Sequence, residues 1–244
     1  KGQEKGALAA TARIFDARIL LFPVHSVAGP VWVTSPETLR DFGLVVGKTP
    51  KFEKSGVEVF VGEGLKGDSV LNLGWLMVGV TDTFDLSKAT NGSPTEGDEN
   101  NCSCQVSEGE KGCQESGVSA LEKLIDHIPE TIKNRVVLVP EEIFSHVVNS
   151  NLEVRTSVSI DPETGAAKQG ALFIYEAIPR AAFFWLDVIE NDYRRDFKSI
   201  EMYKWNSPID VVTSGIKFIE YLGVGGMATR GFGRIKKIAR QEVM

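Results

Sequence analysis

The feature that most constrains this chain is a polar stretch, residues 87–119, which interrupts two regions rich in apolar residues. It reads SKATNGSPTEGDENNCSCQVSEGEKGCQESGVS and contains many Gly, Ser, Asn and Glu residues but almost no large apolar side chain. A segment of this composition cannot bury enough surface to form a core. We therefore predict a flexible acidic insertion, and the flanking residues must supply the core of a single domain over residues 1–244.

Composition narrows the class of protein. The 244 residues are 42% apolar, which suffices for a packed core, and runs such as Ile19 to Val24 are too short to span a bilayer. We expect no membrane partner. The three cysteines are odd in number and cluster in one polar stretch, and no apolar signal segment follows Lys1, which favours a reducing, cytoplasmic location.

The cysteines also raise the possibility of a zinc or redox site. Cys102 and Cys104 have C-x-C spacing and Cys113 follows nine residues later, but no fourth cysteine or nearby histidine completes a tetrahedral set of zinc ligands. His127 and His146 fall on predicted helices with no nucleophile pattern, and we interpret them as exposed or core-edge side chains. The sequence therefore predicts no metal bound by this chain.

Strand and helix signals alternate before the insertion. Ile14 to Val33 forms two β-prone runs around His25 to Pro30, which predicts a hairpin. Ser35 followed by Pro36 predicts a short helix that ends by Gly43. The runs VEVFVGEG and SVLNLGWLMVGV predict further strands.

After the insertion the pattern continues. We predict a helix over residues 120–132, a buried strand from Arg135 to Val139 and a helix from Pro140 to about Val148. Ala181 to Glu190 is nearly continuous in apolar residues, which predicts one central strand covered on both faces. A helix over residues 209–222, with Val212, Ile216, Ile219, Tyr221 and Leu222 at helical spacing, and a terminal strand over residues 234–239 complete the expectation.

A long hairpin is predicted over residues 152–180. Apolar residues alternate with polar ones on both sides of Asp161 to Gly165, a turn too polar to be buried. The arms carry Arg155 and Lys168, which suits a finger that projects from the protein. An ordinary hairpin at the edge of a sheet is the alternative, and composition alone favours it.

A glycine-rich loop follows the last helix, between Gly223 and Arg234. Glycine frees the backbone to adopt positive φ, so several N–H groups can converge on one anion, and arginines match phosphate oxygens. The candidate RNA-binding residues here are Gly223, Gly225, Gly226, Thr229, Arg230, Gly231, Gly233 and Arg234. A helix cap with a tight turn is the alternative. The order helix, loop, strand excludes a dinucleotide-binding loop, and no Lys-Ser/Thr pair forms a Walker loop.

Net charge decides how RNA could be bound. The formal charge of −6 excludes binding by bulk electrostatics, but basic residues crowd the C-terminal segment while acidic residues crowd the insertion. Any RNA interface must therefore be local, and the arginines beside the glycine loop favour RNA or nucleotide phosphate.

Three segments together resemble the RAMP superfamily, specifically the repeated backbone subunit of type III-B CRISPR effectors, the Cmr complex. They are DARILLFPVHSVAGPVWVTSPETLRDF from Asp16, LEVRTSVSIDPETGAAKQGALFIYEAIP from Leu152 and YLGVGGMATRGFGR from Tyr221. The resemblance implies an α+β, modified ferredoxin-like, RRM-related core whose copies stack along a guide RNA. It also implies that the hairpin is a thumb in the guide–target duplex, with Arg155 and Lys168 as RNA-binding residues, and that the glycine loop packs against guide phosphates.

The resemblance further implies an endoribonuclease that cuts target RNA at regular intervals with a divalent metal, Mg²⁺ for the complete enzyme. In the family, the catalytic Asp precedes the segment that here begins near Gly6, so no Asp of this sequence inherits the role and the catalytic residue is unknown. We expect the natural protein to extend upstream of Lys1 and this chain alone to be inactive. HSVAG at His25 to Gly29 also departs from the basic stretch usual in the family.

The expected partners are guide RNA, target RNA, copies of the chain itself and other subunits of the effector complex. The alternative function is that of a structural assembly module. In that hypothesis the hairpin and the glycine loop contact neighbouring subunits rather than RNA.

Overall fold

The computed structural model describes residues 10–53, 56–89, 124–192 and 197–240. Most of the predicted insertion, including its three cysteines, lies outside the described residues. The chain divides into two compact units: a larger one, Ile19–Phe184, and a smaller one that combines Lys1–Arg18 with Trp185–Arg240. The organisation as a single domain stays a prediction.

The described elements are mixed α and β. In chain order the strands are β1 (Ala12–Ile14), β2 (Arg18–Val24), β3 (Val31–Thr34), β4 (Phe52–Glu53), β5 (Gly56–Val61), β6 (Val70–Leu73), β7 (Leu76–Thr83), β8 (Val136–Leu138), β9 (Glu153–Ser157), β10 (Phe173–Ala177), β11 (Phe183–Trp185) and β12 (Val188–Glu190). The helices are α1 (Pro36–Phe42), α2 (Glu130–Lys133), α3 (Glu141–Ser150) and α4 (Pro208–Leu222). Among the described helices, none is both long and apolar enough to cross a membrane.

A mixed sheet dominates the larger unit. Its strand order is β11-β2-β3-β8-β5-β7-β6, and β4 pairs with β5 outside this path. The pairs β3–β8 and β5–β7 are parallel, whereas β2–β3, β5–β8 and β6–β7 are antiparallel. The predicted hairpin around His25 is confirmed as β2 and β3.

Both faces of the central strands are covered. Val137 and Val139 belong to a core cluster that also contains Ile143 and Val147 of α3. Side chains alternate between the two faces of a strand, so Val136 and Leu138 point the other way, and both are fully buried as well. Continuous apolar runs such as residues 136–139 are typical of strands covered on both sides.

Local signals in the sequence are confirmed at α1. The Ser35 hydroxyl accepts a hydrogen bond from the Thr38 N–H at 3.2 Å, and Pro36 lies in the first turn. Gly43 ends the helix with φ +98°, a conformation that glycine adopts at little cost. The buried residues Leu39 and Phe42 lie on its inner side.

Three expectations differ from the structure. Ala181 to Glu190 is not one central strand: it divides into β11 at the edge of the mixed sheet and β12, which pairs with β1, and none of these strand residues is fully buried. The helix expected over residues 120–132 is interrupted near Pro129, and its first residues lie outside the described part.

The third difference is at the C-terminus, where residues 234–239 form no strand. The Lys237 N–H instead donates to the Glu220 carboxylate at 2.6 Å, so a side chain of α4 satisfies a backbone donor that a strand would have paired. The smaller unit is thus built from the β1–β12 pair, α4 and this extended segment.

Candidate nucleic-acid interface

The glycine loop begins at the end of α4 and closes on itself. The Gly223 N–H donates to the Ile219 carbonyl at 2.7 Å, which is the helix-end arrangement expected from the cap interpretation. The Val224 N–H then donates to the Gly233 carbonyl at 2.8 Å and joins the two ends of the loop. An ideal Cβ on Gly233 would lie 1.8 Å from the Val224 carbonyl oxygen, so this approach requires glycine.

Several glycines of the loop have positive φ. The angle is +81° at Gly223, +90° at Gly225, +82° at Gly231 and +70° at Gly233, a region that L-residues with side chains rarely occupy. The glycines predicted from the sequence therefore have a conformational role.

The N–H groups of the loop divide into two groups. Those of Arg230 and Phe232 donate to the Met227 carbonyl at 2.9 and 3.4 Å. Those of Gly225, Gly226 and Gly231 donate to no other described residue. The loop is therefore tied at its ends and around a short helical turn, Ala228–Arg230, and keeps donors at its exposed glycines.

Cationic residues are frequent in the sequence within and after this loop. Thr229, Arg230 and Arg234 are all exposed. Between Lys217 and Arg240 the sequence contains six cationic side chains and one acidic one, although the whole chain has a net charge of −6. The acidic residue, Glu220, is hydrogen-bonded to the Lys237 N–H. The smaller unit therefore carries local positive charge next to free backbone donors, which is the arrangement that binds phosphate.

The predicted hairpin is confirmed as β9 and β10. Their antiparallel register pairs Arg155 with Tyr175, and an isolated bridge joins Ile160 to Ala167 beyond the strands. At the turn, the Asp161 carboxylate accepts the Glu163 N–H at 2.9 Å and Gly165 has φ +66°. A polar turn of this kind explains why the two arms meet in this register.

The two faces of the hairpin differ in chemistry. Because side chains alternate along a strand, Arg155, Phe173 and Tyr175 share one face, and the two rings lie 5.9 Å apart between centroids. The opposite face of the two strands carries two exposed aliphatic side chains, Val154 and Ile174, each 66% exposed. These two residues are named here the aliphatic face.

The two cationic residues predicted on the hairpin have different environments. The Arg155 guanidinium donates to the Glu153 carboxylate from Nε at 3.0 Å and from Nη2 at 2.6 Å. This hydrogen bond and the charge of Glu153 raise the pKa of Arg155, so its charge is already paired. The Lys168 side chain is exposed. Its backbone N–H donates to the carbonyl of Ser159 at 2.9 Å, and Ser159 follows Arg155 by four residues in the other arm. Both belong to the larger unit, whereas the glycine loop belongs to the smaller one.

A basic residue that sequence reasoning missed holds the turn between β2 and β3. Arg135 donates from Nε to the Pro30 carbonyl at 2.7 Å and from Nη2 to the Ala28 carbonyl. Asn72 completes the support, since its side-chain oxygen accepts the Val27 N–H at 2.7 Å. Arg135 follows Pro30 by 105 residues, so no local pattern could have associated them.

The exposed end of α4 was also missed. Helical spacing grouped Tyr221 and Leu222 with the other apolar residues of this helix, and in the structure they are 84% and 58% exposed. Phe218, which lies three and four residues before them, shares their face and is 64% exposed. The spacing of Phe218 was the signal for a second apolar face on this helix.

Metal binding has no support within the described residues. No group of three or more His, Cys, Asp or Glu side chains among residues 10–53, 56–89, 124–192 and 197–240 could hold a metal ion. The divalent metal implied by the resemblance therefore does not fit the described part of this chain, and we derive no step through it.

Comparison with known proteins gives the class. The family model of the RAMP superfamily matches residues 5–236, and the chain belongs to that superfamily. A relative from Pyrococcus furiosus, the CRISPR system Cmr endoribonuclease Cmr4, is 27% identical over 224 residues. The alignment covers 91% of this chain and 66% of that protein, so the chain spans just under two thirds of its length.

Solved structures extend the comparison to the fold. A chain of the type III-B Cmr-beta complex in the apo state gives a TM-score of 0.51 at 13% identity, over 94% of this chain and 70% of that one. A chain of Cmr-beta bound to cognate target RNA gives a TM-score of 0.50 at 14% identity, over 95% of this chain and 71% of that one. At these identities the likeness shows the fold, a mixed α+β architecture with a sheet-dominated core.

Proposed function

We propose that the chain is an RNA-binding backbone subunit of a type III-B CRISPR effector. Membership of the RAMP superfamily and the identity to Cmr4 support this class of function. Within it we propose that the larger sheet is a modified ferredoxin-like core and that the hairpin β9–β10 is its thumb. The partners are guide RNA, target RNA, copies of the chain and other subunits of the complex.

The observation that carries the proposal is the glycine loop. The N–H groups of Gly225, Gly226 and Gly231 have no intramolecular acceptor among the described residues, and exposed Arg230 and Arg234 flank them. Backbone donors and guanidinium groups bind phosphate oxygens without reading sequence. Such a contact suits a guide RNA whose sequence varies.

A filter-binding titration tests the loop. Replacing Arg230 and Arg234 with alanine should weaken binding of a guide RNA and should lower the slope of log K against log salt by about 1.4, since each phosphate contact to a single strand contributes roughly 0.7. The matched control replaces Arg40 and Lys51, two exposed cations of the larger unit, and removes the same charge. Equal affinities for wild type and the loop variant would reject the loop as the RNA site.

Cleavage of target RNA is a further part of the proposal, for the assembled complex. By the resemblance, cleavage would use Mg²⁺ and a catalytic Asp. Target RNA incubated with the complex should give products at regular intervals, and EDTA should abolish them. A single cut, or no cut, would contradict this assignment.

A second candidate function is that of an assembly module, and one observation favours it. The aliphatic face of the hairpin exposes Val154 and Ile174 to 66% each, and an apolar surface of this kind is typical of protein–protein contacts. If the module interpretation is correct, the complex should assemble stoichiometrically after complete removal of RNA. Ile174→Asp should then prevent assembly, whereas Gln169→Asp, on the same hairpin outside that face, should not.

A further inference from the structure

The C-terminal turns of α4 present aromatic side chains to solvent. Tyr221 is 84% exposed and Phe218 is 64% exposed, and the helix as a whole contacts β1 and β12. Residues three apart on a helix are neighbours on its surface, so the two side chains share one exposed side of α4, named here the aromatic patch. Burial does not explain their presence, because neither ring belongs to the described core.

This patch adjoins the glycine loop. Tyr221 precedes Gly223 by two residues, and the Val224–Gly233 hydrogen bond returns the chain to the same point. An ideal Cβ on Gly223 would lie 3.3 Å from the carbonyl oxygens of Phe232 and Gly233, which shows how closely the two ends of the loop pack. Arg234 therefore leaves the loop beside the end of α4.

The charges around the patch indicate its ligand. Lys217 lies four residues before Tyr221, one turn away on the same side of the helix, and is exposed. Lys217 and Arg234 both belong to the segment from Lys217 to Arg240, which contains six cationic side chains and one acidic one. Aromatic rings interleaved with cations are typical of surfaces that bind single-stranded nucleic acid, in which bases stack while phosphates are neutralised.

We propose that Tyr221 and Phe218 form a stacking platform for unpaired bases of the RNA whose phosphates bind the glycine loop. The inference rests on the proposed function, and it adds the chemical form of the ligand: single-stranded RNA with accessible bases. Stacking does not depend on base identity, since every base presents a π-face. The platform would therefore add affinity without adding sequence preference.

The test compares two probes with equal numbers of phosphates: a single-stranded uridine oligomer and an oligomer of the same length whose sugars carry no base. Wild type should bind the uridine oligomer more tightly, by roughly 5- to 150-fold for one stacked base. Tyr221→Ala should lose this preference and leave the salt dependence unchanged, whereas Tyr221→Phe should keep it. Phe218→Ala should reduce it independently.

The outcomes separate the two proposals. Equal affinity of wild type for both probes, with clear salt dependence, would overturn the platform and leave the phosphate site standing. A full preference for the uridine oligomer in the Tyr221→Ala and Phe218→Ala variants would also overturn it. If wild type binds neither probe, both the platform and the proposed function fail. Unchanged helical circular dichroism in each variant shows that a loss of preference is not a loss of α4.

Discussion

Replacing Gly233 with alanine should open the glycine loop. The residue has φ +70°, and holding a side chain in the left-handed region costs roughly 1–2 kcal/mol. The added Cβ would also lie 1.8 Å from the Val224 carbonyl oxygen, so the backbone must shift and give up the Val224–Gly233 hydrogen bond, a further loss of about 1 kcal/mol. The smaller unit should lose at least about 2 kcal/mol of stability.

Two other glycines of the loop separate these contributions. Gly225 has φ +90° but nothing within 4 Å of an added Cβ, so Gly225→Ala should show only the backbone cost. Gly226 has neither a positive φ nor a neighbour within 4 Å, so Gly226→Ala should be neutral or slightly stabilising. Both substitutions keep the N–H groups.

Urea unfolding and RNA titration measure the consequences. The urea midpoint should be highest for Gly226→Ala, lower for Gly225→Ala and lowest for Gly233→Ala. RNA affinity should decrease most for Gly233→Ala. If the Gly233 variant is as stable and binds as tightly as the Gly226 variant, the close crossing of the loop is refuted as the basis of the site.

Three further outcomes follow from the described contacts. Ser207→Ala removes the hydroxyl that accepts the Asp210 N–H at 3.3 Å and should cost about 1 kcal/mol in thermal denaturation. The N–H groups of Asn206 and Ser207 donate to the Asp210 carboxylate and lower its pKa. The ionised carboxylate therefore stabilises the fold at pH values above its ordinary pKa, and this contribution is lost as the pH falls through the lowered pKa of the folded state. Asp210→Asn should make stability fall less steeply on the acid side, and an unchanged dependence of stability on pH would contradict this. Gly62→Ala should destabilise strongly, because its Cβ would lie 2.5 Å from the Asn134 carbonyl oxygen, whereas Gly47→Ala, with nothing within 4 Å, should not; equal urea midpoints would reject this contact.

Features that depend on a few consecutive residues could be predicted. The hydroxyl of Ser35 and the capping box of Ser207 with Asp210 act within three residues of the chain, and the structure places a helix after each. The turn from Asp161 to Gly165 likewise follows from local chemistry. The change from helix to loop at Gly223 could be predicted for the same reason.

Features that depend on contacts between residues distant in the sequence could not be predicted. Residues 181–190 look like one strand, but their division between two sheets is decided by whether β2 or β1 lies alongside. Arg135 holds the turn at Ala28 and Pro30 only because the pairing of β3 with β8 brings them together.

The sequence by itself determined the helix starts after Ser35 and Ser207, the two hairpins and the presence of a basic glycine loop, because these arise from backbone preferences and contacts within a few residues. Only the tertiary structure decided which loop amides keep no internal partner and which side of α4 is exposed. Helical spacing identifies residues that share a face but not what covers that face, and at Phe218 and Tyr221 no described part of the chain does.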